Sequence, residues 1–154
     1  MFNINNRGEK NLNRLHTILR KVMKSHRRYA HNKFLNVGLS EGKPKILDFL
    51  FYNPGCSQKE LAKRCKIEPA TVTSILVGME KEELIYRERN PKDKRILNVY
   101  LTNKGREAQK IVDKIFIDLD NKCFEGFSSE EINQTMYLLN KIYKNIEKGE
   151  DCSD

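Results

Sequence analysis

The hydrophobic period changes from that of a helix to that of a strand after about residue 82, and no other feature of this chain limits its fold as strongly. Over residues 57–82 the apolar side chains recur at the three- and four-residue steps of helices. Over residues 84–101 they alternate, with Leu97, Val99 and Leu101 on one side of an extended segment. A side-chain period of two suits a strand, and a period of 3.6 suits a helix. The pattern therefore predicts helical structure up to about residue 82 and a β-hairpin directly after it.

The helical stretch is interpreted as two short helices. Ser57 and Glu60 have the spacing of a capping box, in which the Ser57 hydroxyl accepts from the backbone N–H of Glu60. The helix that they open is expected to end near Cys65. Pro69 suits a first helical position, where a missing N–H donor costs little, and it opens a second helix over about 69–82. Two short helices, a tight turn and a hairpin make up a helix-turn-helix with a wing.

The second short helix is expected to have one core face and one open face. Its core positions are Val72, Ile75, Leu76 and Met79. Helix geometry leaves a set of mostly small side chains on or beside the opposite face, namely Ala70, Thr73, Ser74, Val77 and Lys81. The open face is therefore free to approach another molecule closely.

Longer amphipathic helices are predicted on both sides of this motif. The first spans 9–35, carries no acidic residue from 10 to 33, and has an apolar stripe of Leu12, Leu15, Leu19, Val22 and Tyr29. Ser40 is expected to open the next helix, whose core face holds Ile46, Leu47 and Leu50 and which Asn53-Pro54-Gly55 ends. A helix near 103–124 places Ile111, Ile115 and Leu119 in register, and one near 129–148 does so for Ile132, Met136, Leu139, Tyr143 and Ile146. The predicted fold is mainly α with a small β-hairpin wing.

The charge of the chain is divided between its two parts. Residues 1–110 carry 24 basic and 11 acidic side chains, whereas residues 111–154 carry 5 and 10. A basic first part fits a polyanionic partner such as nucleic acid, and an acidic last part fits a region kept away from it. Taken alone, the charge is equally well explained by lysines that only keep the surface soluble.

Several classes of protein are disfavoured. The N-terminus lacks an apolar targeting segment, and no window approaches the roughly 18 apolar residues of a membrane span, so a cytoplasmic protein without a membrane partner is expected. Cysteines 56, 65, 123 and 152 form no Cys-x-x-Cys pair and lie far from histidines 16, 26 and 31, which favours free thiols over disulfides or a metal site. No nucleophile–base set, phosphate-binding glycine loop or cofactor motif is present, so we expect no enzyme and no cofactor.

The helix-turn-helix and the wing supply the candidate DNA-binding residues. An α-helix fits the major groove of B-DNA, and a basic ribbon reaches the adjacent backbone or minor groove. The candidates are Ser57, Gln58, Pro69, Ala70, Thr71, Thr73, Ser74, Val77, Lys92, Asp93, Lys94 and Arg95. Asp93 is expected to hold Arg95 in a fixed pose. The alternatives are an ordinary solvated helix face and a solvated hairpin tip.

The stretch from about 39 to 105 resembles the MarR (multiple antibiotic resistance regulator) family of bacterial regulators. The residues that carry the resemblance are Leu39-Ser40, Gln58-x-x-Leu61-Ala62, Thr71-Val72-Thr73, Met79-Glu80-Lys81, Leu84-Ile85-x-Arg87, Asp93-x-Arg95 and Leu101-Thr102-x-x-Gly105. The resemblance implies one domain over 1–154, with a winged lobe at about 39–105. It also implies that the helix 69–82 enters the major groove and that Arg95 reads the minor groove. Two departures are Glu83, where the family usually has a helix-ending glycine, and Gly78 inside the second helix.

The resemblance also implies how the protein acts. Helices 9–35 and 106–148 would interlock two protomers over a pseudo-palindromic operator, although they could instead wrap only their own domain. Many relatives release double-stranded DNA when a small aromatic acid, a metal or an oxidant acts on them, and a cleft beside the first helix is the implied effector site. A repressor is the function expected here. One alternative function is a nucleoid-like or single-strand binder without sequence preference, and another is a winged-helix protein-interaction module. An oxidation switch at Cys56, Cys65 or Cys123 is a further way in which the protein could be regulated.

Overall fold

The structure is a computed structural model that describes residues 14–39 and 42–150, with side chains up to residue 148. The chain divides into two compact units, one ending at Leu119 and the other beginning at Asp120. Predictions for residues 9–13, for Ser40 and for Cys152 lie outside the described residues.

The described residues form helices and short strands in the order that the sequence pattern predicts. The elements are α1 (Leu15–Asn36), α2 (Lys43–Tyr52), β1 (Cys56–Ser57), α3 (Gln58–Cys65), α4 (Pro69–Lys81), β2 (Ile85–Arg89), β3 (Leu97–Leu101), α5 (Asn103–Cys123) and α6 (Ser129–Glu150). The fold class, mainly α with a small β-hairpin wing, is confirmed. The strands all belong to the first unit, and α6 belongs to the second.

The helix-turn-helix begins with the predicted capping box. The Glu60 N–H donates to Ser57 Oγ at 3.2 Å, and the Ser57 N–H donates to Glu60 Oε2 at 2.7 Å. These bonds from Ser57 hold the pKa of the Glu60 carboxyl below its usual value. The helix α3 ends at Cys65, and α4 begins with Pro69 in its first turn. Both boundaries agree with the sequence prediction.

The helix α4 ends without the glycine that usually terminates such a helix. The Leu84 N–H donates to the Met79 carbonyl at 2.9 Å, and the Glu83 N–H donates to the Glu80 carbonyl at 3.0 Å. This pair of bonds is the Schellman motif, which requires a left-handed residue after the C-cap. Glu83 takes that conformation, with φ of 60°. The termination therefore survives the substitution, and Glu83 bears backbone strain that a glycine would avoid.

The wing belongs to a three-stranded antiparallel sheet with strand order β1-β3-β2. Arg87 pairs with Val99 on one side of β3, and Cys56 pairs with Val99 on the other. The sequence did not predict β1, because a strand of two residues is too short to show a period. Leu97, expected on the core side with Val99, is 40% exposed because it lies where β3 enters the wing.

The core of the first unit lies beneath the helix-turn-helix and the sheet. The predicted core positions of α2 and α4 are all buried, which confirms both helical faces. In α5 one position was wrong: Ile111 is exposed and the adjacent Val112 is fully buried. Gly105 allows α5 to pass against the sheet, since a Cβ there would stand 1.9 Å from the Leu84 carbonyl oxygen.

The predicted apolar stripes of the flanking helices are largely open to solvent in the single chain. Leu15 and Val22 of α1 are 53% and 55% exposed, and the buried residues of this helix are Thr17, Ala30 and Phe34 instead. In α6, none of the described side chains is buried. Its exposed apolar residues include Met136, Leu139, Tyr143 and Ile146. Among the described residues, the apolar positions of these two helices are therefore mostly exposed rather than part of a core.

Candidate nucleic-acid interface

The open face of α4 is built from small and hydroxylic side chains. Ala70, Thr71, Thr73, Ser74 and Val77 are all exposed, as the helical spacing predicts. The Thr73 hydroxyl donates to the Pro69 carbonyl at 2.9 Å, and the Ser74 hydroxyl donates to the Ala70 carbonyl at 3.2 Å. A hydroxyl oxygen can also accept hydrogen bonds, so both side chains remain able to accept from a donor. No bulky side chain of this set holds the helix axis away from an approaching surface.

Gln58 joins the start of α3 to this face. Its side-chain Nε2 donates to Thr73 Oγ1. The bond connects two predicted site residues that are 15 positions apart in sequence, and it fixes the Gln58 amide beside the middle of α4. The structure therefore brings the capped start of α3 and the open face of α4 together on one surface.

The wing tip is shaped by side-chain bonds to its own backbone. Asn90 Oδ1 accepts from the backbone N–H of Lys92 at 2.8 Å, and Asp93 Oδ1 accepts from the backbone N–H of Arg95 at 2.9 Å. The expectation that Asp93 holds the Arg95 side chain needs correction. The Asp93 carboxylate accepts from the backbone N–H of Arg95 instead of from its guanidinium. Asp93 thus sets the path of the chain, and the guanidinium stays exposed. Asn90 was missed, although Asn before proline is a known turn signal.

The wing returns to the start of α3. A hollow of about 310 Å³ is lined by Ser57, Gln58, Lys59, Arg95, Ile96 and Leu97. Arg95 therefore lies near the residues that cap α3, and through Gln58 near Thr73. Of the predicted site residues, Pro69 and Ala70 lie at the start of α4, and Lys92 and Lys94 lie exposed on the wing.

An ion pair connects the last turn of α4 to the base of the wing. Arg87 of β2 donates through Nε to Glu80 Oε1 at 3.2 Å and through Nη2 to Glu80 Oε2. This two-point contact lowers the pKa of the Glu80 carboxyl and raises that of Arg87, because each charge stabilises the other. The wing strand and the helix are therefore fixed to each other at their shared end.

The comparisons with known proteins agree with this geometry. The model of the MarR family matches residues 39–97. The HTH-type transcriptional repressor YetL of Bacillus subtilis is 31% identical, over 77% of this chain and 72% of that protein. The HTH-type transcriptional regulator BilQ of Clostridium symbiosum is 30% identical, over 77% and 83%. The chain belongs to the MarR family.

Solved structures support the same fold for this MarR-family chain. Wild-type MarR from E. coli superposes with a TM-score of 0.76 at 21% identity, covering 84% of this chain and 96% of that one. The transcriptional repressor CouR, solved on a 23-mer DNA duplex, gives a TM-score of 0.77 at 22% identity, with coverages of 92% and 99%. These structures show the same winged-helix fold, and the family match with the named relatives makes the chain a DNA-binding transcriptional regulator.

A cleft lies in the first unit of this MarR-family chain, between α1, α2 and Phe116 of α5. Its volume is about 690 Å³, and its lining residues are Val22, Met23, His26, Arg27, Ala30, His31, Phe34, Leu39, Gly42, Pro44, Lys45, Asp48 and Phe116. Burial and the nearby Asp113 carboxylate raise the pKa of Asp48. Two of the histidines in α1, His26 and His31, line this cleft.

The cysteine thiols of the MarR lobe are poor nucleophiles. Burial, together with the nearby Glu60 carboxylate, raises the pKa of Cys56 to about 11, and burial also raises the pKa of Cys65. Both thiols therefore stay protonated near neutral pH.

Within the described ranges, no group of His, Cys, Asp and Glu is placed to hold a metal ion. None of the described helices is long and apolar enough to cross a membrane.

Proposed function

We propose that this MarR-family regulator is a repressor that binds a pseudo-palindromic DNA site as a homodimer. The observation that carries the proposal is the continuous exposed surface running from α4 through Gln58 and the start of α3 to Arg95 of the wing. Its two ends match the two grooves of B-DNA, since a helix fits the major groove and a basic ribbon fits the minor groove. The protein acts by binding rather than by catalysis.

The chemistry of α4 favours close approach over long-range base reading. Thr71, Thr73 and Ser74 offer hydroxyls for phosphates or base edges, and Ala70 and Val77 offer apolar contact for thymine methyl groups. This face has no arginine, and its one amide, Gln58, comes from α3. Sequence preference is therefore shared between direct contacts and the shape of the DNA.

The wing supplies the positive charge. Lys92, Lys94 and Arg95 are exposed around a tip whose backbone is held by Asn90 and Asp93. A guanidinium carried on a fixed backbone loses less entropy when it enters a narrow minor groove. Arg95 is the residue that we assign to the minor groove, and the two lysines neutralise phosphates.

The exposed apolar stripes support a homodimer. Exposed apolar patches of this kind in helices mark surfaces that associate. A second copy of the chain would cover the stripes of α1 and α6, and a two-fold dimer would present two recognition helices about one DNA turn apart. We therefore propose that these helices form the dimer interface.

The cleft beside α1 is the proposed effector site. Its lining combines aromatic and aliphatic residues with Arg27, Lys45 and two histidines, which suits a small aromatic acid. The test uses salicylate as the probe, titrated against the protein–operator complex. We expect salicylate to release DNA from the wild type and from the control Lys24→Met. Release from Arg27→Met/Lys45→Met should need more salicylate. Failure of salicylate and other benzoate-class acids to release DNA would remove the aromatic acid from the proposal.

The proposed function is tested by selecting bound sequences from a random double-stranded DNA pool. The expected winner is an inverted repeat with half-sites about 10 base pairs apart, centre to centre. A pool that stays random after repeated selection would instead favour a nucleoid-like protein that binds DNA through charge alone.

A further inference from the structure

A second ion pair holds the end of α4, on the side opposite the wing. The Nζ of Lys43 lies 2.7 Å from Glu82 Oε1 and 2.9 Å from Glu82 Oε2. Lys43 is the first residue of α2, and Glu82 is the C-cap of α4. The Lys43 side chain is only 14% exposed, whereas that of Glu82 is 47% exposed, so Lys43 is the covered partner and Glu82 reaches it from a half-open position.

The turn before α2 packs directly onto α4 beside this pair. Gly42 has φ of +84°, and a Cβ there would approach Ile75 Cδ1 to 3.2 Å. The groove at this contact is lined by Gly42 and Lys43 together with Thr71, Ser74 and Gly78 of α4. Two of the proposed DNA-contacting residues, Thr71 and Ser74, therefore sit beside the segment that carries Lys43.

The pair is oriented against the dipoles of both helices. The N-terminus of a helix favours anions and its C-terminus favours cations. Here the cation Lys43 stands at the start of α2 and the anion Glu82 stands at the end of α4. Each charge alone weakens its own helix, so local helix stability does not explain the arrangement. What the pair supplies is a tie between the two helices.

The two ion pairs together fix the last turn of α4 on two sides. Glu80 is bound by Arg87 of the wing strand, and Glu82 is bound by Lys43 of α2. A helix presented to DNA must hold its contacting side chains to within a fraction of an ångström, which requires support from the elements behind it.

We infer that Glu82 is a positioning residue for DNA binding, and that it acts through Lys43 by holding α4 against the start of α2. The inference rests on the proposed function. It has an unusual consequence. Removing a negative charge from a DNA-binding lobe ordinarily strengthens binding to a polyanion, whereas neutralising Glu82 is expected to weaken it.

A direct contact between Lys43 and DNA would change affinity in the opposite direction. If Lys43 bound a phosphate directly and Glu82 only occupied it in the free protein, then Glu82→Gln would release Lys43 for DNA. Affinity would rise, and the dependence of binding on salt would steepen because one more phosphate is neutralised. The sign of the effect of a single substitution therefore separates the two arrangements.

The experiment measures operator affinity by fluorescence anisotropy, on the full-length chain, at two salt concentrations. The variants are Glu82→Gln, Lys43→Met and the exchanged pair Lys43→Glu/Glu82→Lys. The matched control is Glu83→Gln, which removes the same charge one residue later from a side chain that is 82% exposed and lies 3.8 Å from Lys104. Thermal unfolding of each variant corrects the affinity for any unfolded fraction.

The expected result is a loss of about tenfold in Glu82→Gln and Lys43→Met, the scale of one lost charge-assisted hydrogen bond. Glu83→Gln should bind as well as the wild type or slightly better. The exchanged pair should recover affinity to within about threefold and unfold at no lower temperature, since each charge then suits its helix dipole. Affinity that is unchanged or increased in Glu82→Gln, or that the exchanged pair fails to recover, would overturn the inference. Loss of sequence preference by the wild type itself would instead count against the proposed function.

Discussion

Glu83 is one of two residues other than glycine, with Lys66, that have a positive φ in the part of the chain that the structure describes. It ends α4 in the left-handed conformation, which costs a residue with a Cβ about 1 kcal/mol or more. Its side chain is exposed, and its one ion pair is at a distance that contributes little. Replacing Glu83 therefore changes stability mainly through its backbone conformation and not through a lost side-chain contact.

Glu83→Gly is predicted to stabilise the protein by about 0.5–1 kcal/mol, because glycine relieves the strain but adds some entropy to the unfolded chain. The measurement is urea unfolding, with a higher midpoint and an unchanged slope. Glu83→Ala removes the same side chain and keeps the strain, so it should give no such gain. Equal gains in both variants would show that the side chain, and not φ, is responsible.

The Glu80–Arg87 pair predicts a pH dependence. The pKa of Glu80 is lowered in the folded protein, so its contribution to stability is present above the unfolded pKa of about 4.3 and is lost as the pH falls through the folded value. Glu80→Gln should therefore cost about 1 kcal/mol at neutral pH. At about pH 3 the difference in the free energy of unfolding between Glu80→Gln and the wild type should be smaller. A penalty of the same size at both pH values would exclude the ion pair as its origin.

At the level of single residues, the sequence predicted local contacts and missed distant ones. Ser57 and Glu60 are three positions apart, and their capping box was predicted because helix termini follow local rules. Lys43 and Glu82 are 39 positions apart, and no local pattern connects them. Asp93 was placed correctly in the wing, but whether its carboxylate meets a guanidinium or a backbone N–H depends on turn geometry that the sequence does not specify.

At the level of elements, the boundaries of α3 and α4 were predicted because capping residues and period mark them clearly. The strand β1 was not predicted, since Cys56 and Ser57 are recruited by β3 rather than by any strand propensity of their own. The wing illustrates both cases. Its alternation predicted the hairpin, but the exposure of Leu97 follows from where the sheet ends.

The wing as an element carries a prediction for DNA binding. Arg95→Ala should cost about 1–3 kcal/mol of specific affinity while leaving the dimer intact, because the guanidinium is exposed and its backbone is held independently by Asp93. The control is Lys110→Ala, which removes an exposed cation of α5 that pairs only locally with Glu107. Operator affinity that is unchanged in Arg95→Ala would exclude the wing from the interface.

At the scale of the whole molecule, the apolar stripes decide how many copies of the chain act together. Leu139 and Tyr143 of α6 are 44% and 58% exposed in the single chain. We predict that the wild type sediments as a dimer and that Leu139→Glu/Tyr143→Glu sediments as a monomer. Each glutamate would otherwise have to be buried in the dimer interface without a partner. Lys144→Glu on the same helix is the control and should remain dimeric. A wild type that sediments as a monomer would refute the dimer.

Dimerisation and DNA binding are linked in this account. Two half-sites held by one dimer bind far more tightly than two separate lobes, because the second contact becomes intramolecular. The monomeric variant should therefore lose most of its operator affinity even though its winged lobe is unaltered. The stripes themselves could be predicted from the sequence, because apolar residues at helical spacing are a local pattern.

The central claim is that this MarR-family protein recognises one DNA sequence rather than DNA in general. The most direct test is an anisotropy titration of the selected operator and of a scrambled duplex of the same length and composition, at physiological salt. We expect the protein to prefer the operator by about 10³-fold or more. Equal affinity for the two duplexes would contradict it.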